Sequence, residues 1–218
     1  RYASRGLGDV YKRQAQNPLG SGADGQLYVS SSATVYTDDV RTTVAGTNAA
    51  GSNSIEVTDA TQFSNDDEIL IITMQAPETD WALSQVGVYE VRKVLSKSGN
   101  VLNLDAALTN NFNDGGGNKH QVIRVPNYTD VTVQGTLTCA DWNGQTGGVL
   151  FFRASGILTV DSTGMITSAG KGYRGGGRGG PSPSYYGQRG ESHVNFSGGY
   201  GTSRWYNSGG GGTYNHGG

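Results

Sequence analysis

The sequence has a single cysteine, Cys139, so no disulfide framework can form within it. Its three histidines, His120, His193 and His216, are too scattered to read as a metal ligand set. Asp66-Asp67-Glu68 lacks the spacing of an EF-hand and reads as a solvated turn entering a strand. No metal and no cofactor are therefore expected. Only 16% of the residues are charged, yet no apolar run approaches the roughly 20 residues of a membrane-spanning helix. No window repeats its apolar residues at the 3.6-residue period of a helix, which leaves strands as the regular structure.

Glycine is abundant instead, at 36 of 218 residues. With Ser, Thr and Asn in place of Lys and Glu, it gives the composition of extracellular β-structure. Setting aside residues 1–14 leaves 12 basic against 17 acidic residues, a net charge near −5. That balance disfavours nucleic acid as a partner of the whole chain.

Along the chain, residues 15–50 read as a connector with short β-like runs at Gln26–Ser30 and Thr34–Tyr36. Residues 51–130 read as a small β-domain, a barrel or sandwich of five short strands. Ser54–Thr58 alternates, Glu68–Thr73 is a continuous apolar run, and Val86–Val94, Asn100–Leu104 and Gln121–Val125 complete the set. Lys97-Ser98-Gly99-Asn100 is a hairpin turn signal. From Val131 the texture changes. Gly135-Thr136-Leu137-Thr138 is echoed about twenty residues later by Gly156-Ile157-Leu158-Thr159-Val160, and Met165-Ile166-Thr167 follows in the same style. Residues 131–170 thus read as β-solenoid rungs.

The segment 171–218 is rich in glycine and aromatics. Residues 164–218 hold 19 of the 36 glycines and eight aromatic residues. Burying those aromatics does not offset the backbone entropy of so many ordered residues. The segment is therefore either disordered or packed as polyproline-II-like backbones bonded to one another. The fold class is all-β: a small barrel or sandwich, then solenoid-like rungs, then this glycine-rich segment.

Chemistry-bearing motifs are few. Gly170-Lys171-Gly172-Tyr173-Arg174-Gly175 satisfies G-x-G-x-x-G, but the glycine run after it cannot be the helix that a pyrophosphate needs. Arg174-Gly175-Gly176-Gly177-Arg178-Gly179-Gly180 resembles an RGG segment of RNA-binding proteins, yet the acidic β-rich remainder is foreign to that class. Between 131 and 218 the only acids are Asp141, Asp161 and Glu191, thin provision for glycoside chemistry. Ser155 and Ser192 lack a nucleophile elbow. The candidate ligand-binding residues are aromatics and arginines: Trp142, Tyr173, Arg174, Arg178, Tyr185, Tyr186, Tyr200, Trp205 and Tyr206. Such side chains bring large contact area at low entropy cost.

Several phrases carry resemblances. Ser4 to Gln14 resembles the translation of a transposon-end sequencing adapter, which implies a metagenomic fragment whose natural N-terminus lies elsewhere; a cut C-terminus is expected too. Gly20-Ser21-Gly22-Ala23-Asp24-Gly25, the run from Gly147 to Gly156 and the junction Ser168 to Gly176 resemble secreted bacterial surface proteins of the gliding-motility and adhesin-like kind. The glycine-rich end is similar to phage tail-fibre adhesins. These resemblances imply an extracellular β-solenoid, on a cell surface or virion tail, with a glycine-rich region and no catalytic residues to carry over. With the aromatics and arginines above, the expectation is a non-enzymatic module that binds surface glycan or other copies of itself. The alternatives are a fragment of a polysaccharide-processing β-helix enzyme and a phage tail-fibre receptor-binding protein.

Overall fold

The computed structural model describes residues 19–77, 85–115 and 117–174, together with the backbone of one short strand pair near the C-terminus. Among the described residues there is no helix, and the chain is all-β. In chain order the strands are β1 (Gly25–Val29), β2 (Thr34–Tyr36), β3 (Arg41–Thr43), β4 (Ser54–Glu56), β5 (Glu68–Gln75), β6 (Tyr89–Ser98) and β7 (Val101–Leu104). They continue as β8 (Lys119–Arg124), β9 (Asn127–Val133), β10 (Thr136–Thr138), β11 (Arg153–Ala154), β12 (Leu158–Val160) and β13 (Met165–Ile166). The C-terminal pair is β14 (Gly212–Thr213) and β15 (His216–Gly217). The chain divides into two compact units.

One unit comprises Tyr36–Val125, Thr138–Leu150 and the chain from Thr167. Its six-stranded antiparallel sheet has the order β3-β8-β5-β6-β7-β4. The apolar run of β5 is central, between β8 and β6, and its side chains are buried on both faces, which is why it does not alternate. Gly99, at φ +58°, makes the turn that pairs Ser98 with Val101, as the Lys97–Asn100 signal anticipates. The sheet curls until its edges meet: Val44 bridges Val57, and Ala45 N donates to Glu56 O at 2.9 Å. Curling satisfies edge groups that an open sheet would leave to solvent. Ile55, Phe63, Ile69, Ile71, Leu102, Phe112 and Val122 form the core inside.

The other unit holds the described chain up to Val35 with Pro126–Leu137 and Phe151–Ile166. Its strands run parallel. β9 lies between β1 on one side and β11 and β12 on the other. A second sheet has the order β13-β10-β2. The register stacks Leu27, Val131 and Leu158 in one column and Val29, Val133 and Val160 in another. Val29, Val131, Val133 and Leu137 are buried in a core of their own. This is solenoid geometry, with a period that differs from the sequence echo. Leu158 pairs with Val131 and Met165 with Thr136, offsets of 27 and 29 residues. The echo at about twenty residues aligns Leu137 with Leu158, whereas the stack places Ile166 beside Leu137. Backbone hydrogen bonding and the corner turns set the period, and both words of the echo are merely good strand sequences.

Candidate functional site

The parallel sheet presents a polar outer face. Because Leu27 and Val29 point inward, Tyr28 between them points out, and the same alternation turns Thr132, Gln134, Thr159 and Asp161 outward. Tyr28, Thr132 and Thr159 share one register position. Tyr28 is 57% exposed, but its hydroxyl is held: it donates to Gln134 Oε1 at 2.6 Å. Gln134 Nε2 in turn donates to Asp161 Oδ2 at 2.7 Å. The chain of bonds crosses three consecutive strands of the stack. It orients the Gln134 amide, limits the swing of the tyrosine, and links the tyrosine hydroxyl through that amide to the Asp161 carboxylate.

The corner turns keep this face in place. Asp161 N donates to Val133 O and Gly164 N to Asp161 O, both at 2.9 Å, and Thr163 Oγ1 donates to Gln134 O at 3.1 Å. A Cβ on Gly164 would strike the Val133 carbonyl oxygen, and one on Gly135 would strike Ser30 O and Ala33 O. Glycine stands at these corners because backbone passes too close for any side chain. A second outward carboxylate, Asp130, is committed to the backbone: its Oδ1 accepts from Ile157 N at 2.7 Å.

Of the candidates named from sequence, three fall among the described residues. Trp142 is buried, 2% exposed, and packs edge-on against Tyr173 with centroids 6.1 Å apart and planes at 89°. Its ring is a plug and is not offered to solvent. Tyr173 is half-buried, and its hydroxyl donates to Met74 O. Arg174 is exposed. Trp142 N donates to Lys171 O at 2.9 Å, and Lys171 Nζ meets Asp141 Oδ1 at 2.6 Å and stands 6.0 Å from the centre of the Tyr36 ring. The hydrogen bond to Asp141 raises the Lys171 pKa, although desolvation opposes it. Trp142, Tyr173 and Lys171 are thus brought together as an anchor for the segment around 171. Arg178, Tyr185, Tyr186, Tyr200, Trp205 and Tyr206 lie outside the described residues, as do residues 1–14 and nearly all of the glycine-rich segment.

His120 is a core residue of the curled sheet. Its Nδ1 lies 2.9 Å from Thr73 Oγ1, it packs edge-on to Phe112, and burial lowers its pKa, so it is neutral at ordinary pH. Among the described residues no cluster of His, Cys, Asp and Glu could hold a metal.

Among the solved structures that resemble this chain are three phage tailspikes. The Gp54 tailspike of Acinetobacter baumannii bacteriophage AP22, in complex with A. baumannii capsular saccharide, matches at 14% identity and a TM-score of 0.36 over 63% of this chain. The gp49 tailspike of Pseudomonas phage LKA1 matches at 12% and 0.35 over 61%. The gp61 tailspike of Pseudomonas phage phi297 matches at 12% and 0.32 over 59%. The matched part spans 26%, 23% and 20% of those three chains. No family model and no curated protein matches, and neither comparison supports the gliding-motility or adhesin resemblance.

Tyr28, Gln134 and Asp161 were not singled out from sequence. The outward position of Tyr28 was legible in the alternation Leu27-Tyr28-Val29; its partners were not, because they lie on other strands.

Proposed function

We propose that this chain is a non-enzymatic structural and adhesive module of an extracellular fibre, on a virion tail or a cell surface, that binds surface glycan. The Tyr28 ring, exposed yet tethered through Gln134 to Asp161, is the observation that carries this reading. A sugar ring has an apolar C–H face and a rim of hydroxyls. A tethered aromatic ring supplies a platform for the first, and the threonine hydroxyls and the Asp161 carboxylate on the same outer face supply partners for the second. Pre-orienting these groups removes ordering entropy from the cost of binding. The parallel stack behind them supports the stalk role. Bacterial capsular polysaccharides, screened on a glycan array with the full chain, are the ligands to test first. Binding lost in a folded Tyr28→Ala variant supports the reading, and unchanged binding sinks it.

The polysaccharide-processing alternative needs two carboxyl groups about 5–9.5 Å apart across a glycosidic bond. Asp130 and Asp161 share the outer face but stand four residues apart along the strand direction, about 13 Å at ~3.3 Å per residue. Both are also tied to other groups. That spacing favours binding without turnover, and an assay for new reducing ends on bound polysaccharide tests it: their appearance would restore the enzymatic reading.

A further inference from the structure

Asn143 begins the only Asn-Gly pair in the sequence. It sits in the loop between Trp142 and Gly147, which is pinned at both ends. Trp142 N donates to Lys171 O at 2.9 Å, and Gly148 N to Ala140 O at 2.8 Å. The Gln121 side-chain amide clasps the Gly147 peptide, accepting from its N–H at 2.9 Å and donating to its carbonyl at 3.0 Å. Within this frame Asn143 is exposed and Gly144 has a φ of +94°. Asn143 Oδ1 accepts from two backbone groups, Gln145 N and Thr146 N, both at 2.9 Å. Its Nδ2 donates to Thr146 Oγ1 at 3.4 Å.

We propose that Asn143 is a self-modifying site, at which the backbone nitrogen of Gly144 displaces ammonia from the side-chain amide. The Gly144 N–H gives its proton to a solvent base, and the nitrogen forms a bond to Asn143 Cγ. Negative charge gathers on Oδ1, which already accepts from Gln145 N and Thr146 N at 2.9 Å, two donors able to stabilise it. Collapse breaks the Cγ–Nδ2 bond, Nδ2 takes a proton from solvent, and ammonia leaves. Water then opens the five-membered imide at either carbonyl, giving an aspartyl or an isoaspartyl residue. Solvent is the only co-reactant, and no electron is transferred. Glycine at 144 matters because the attacking nitrogen carries no bulky neighbour.

The product alters the anchor described above. It adds a carboxylate two residues from Asp141, whose Oδ1 holds Lys171 Nζ at 2.6 Å. The isoaspartyl form also lengthens the main chain between two pinned points, and the loop must absorb the extra atom. Ageing at Asn143 therefore loosens the docking of the chain around Lys171 and Tyr173.

The test is to hold the full-length protein in mildly alkaline buffer and follow the peptide spanning 141–148 by mass spectrometry. A free peptide of the same sequence and the full chain in concentrated urea run alongside. The two donors predict conversion in the native chain about tenfold faster than in the peptide, equivalent to about 1.4 kcal/mol of barrier. The excess should vanish in urea, and a Gly144→Ala variant should slow. A native chain converting no faster than the peptide, or an excess that persists in urea, overturns the proposal.

Discussion

Tyr28 and Gln134 are 106 positions apart in sequence, yet the tyrosine hydroxyl donates to Gln134 Oε1 at 2.6 Å. Parallel pairing of β1 with β9 creates the contact: Val29 is in register with Val133, so Gln134 stands just beyond the end of the pair on the same outer face as Tyr28. The tether costs the exposed ring rotational freedom before any ligand arrives.

Replacing Tyr28 separates ring from tether. Tyr28→Ala should weaken glycan binding about tenfold or more, roughly 1.4 kcal/mol. Tyr28→Phe keeps the platform and loses only an exposed hydrogen bond, so its loss should be about two- to threefold, below roughly 1 kcal/mol. Titration calorimetry of both variants checks this. Equal losses would mean that the hydroxyl and not the ring makes the contact.

Two glycines in the parallel unit should respond very differently to alanine. At Gly164 the added Cβ meets the Val133 carbonyl, a backbone atom that cannot step aside, and unfolding should become easier by about 3 kcal/mol or more. At Gly25 the space is open and only the φ of +70° opposes a side chain, at about 1–2 kcal/mol. Urea unfolding of each variant measures the difference, and equal costs would contradict the close approach at Gly164.

Glu90 makes the curled unit sensitive to acid. Burial by itself would raise its pKa, but its carboxylate accepts from Thr109 N and Oγ1 and from Asn110 N and Nδ2, and Arg92 Nη2 lies against it. These groups lower the pKa on balance. Its contribution is present above the ordinary glutamate pKa and is lost as pH falls through the lower folded value. Asp38 has the opposite sign: fully buried, with a pKa raised chiefly by burial, it favours the fold below the ordinary aspartate pKa, and this is lost as pH rises through its raised value. Glu90→Gln should cost about 1–3 kcal/mol near neutral pH. The deficit should shrink on acidification, as unfolding free energies measured across the acid range will show. A deficit constant with pH would contradict the assignment.

Trp142 should behave as core. Trp142→Ala is expected to destabilise the curled unit by about 3–5 kcal/mol. Trp142→Phe retains part of the packing against Tyr173 and should leave glycan affinity unchanged. A folded Trp142→Phe variant with weakened binding, measured on the same array, would return Trp142 to the binding surface.

Much of the architecture was readable residue by residue. The unbroken apolar run of β5 marked a strand, and Lys97–Asn100 marked the β6–β7 hairpin, because turn chemistry and side-chain periodicity are local properties. The partner of β1 was not readable. Val29 pairs with Val133, and no short-range pattern connects residues so far apart when a whole antiparallel unit lies between them. The solenoid period was misjudged for a related reason: alternating Thr, Val, Ile and Leu specify a strand, whereas the corner turns determine how far along the next strand begins.

The amino-acid sequence alone determined that this is a β-rich chain with no disulfide within it, that its apolar residues alternate or cluster at strand length, and that Lys97–Asn100 is a hairpin turn. Those properties follow from backbone conformations and side-chain periods that each residue carries with it. Only the tertiary structure decided that Tyr28, Gln134 and Asp161 form one tethered outer face, and that Trp142 turns inward while Tyr28 stays exposed. An aromatic ring is a binding platform or a plug according to what packs against it, and that depends on strands brought together from distant parts of the chain.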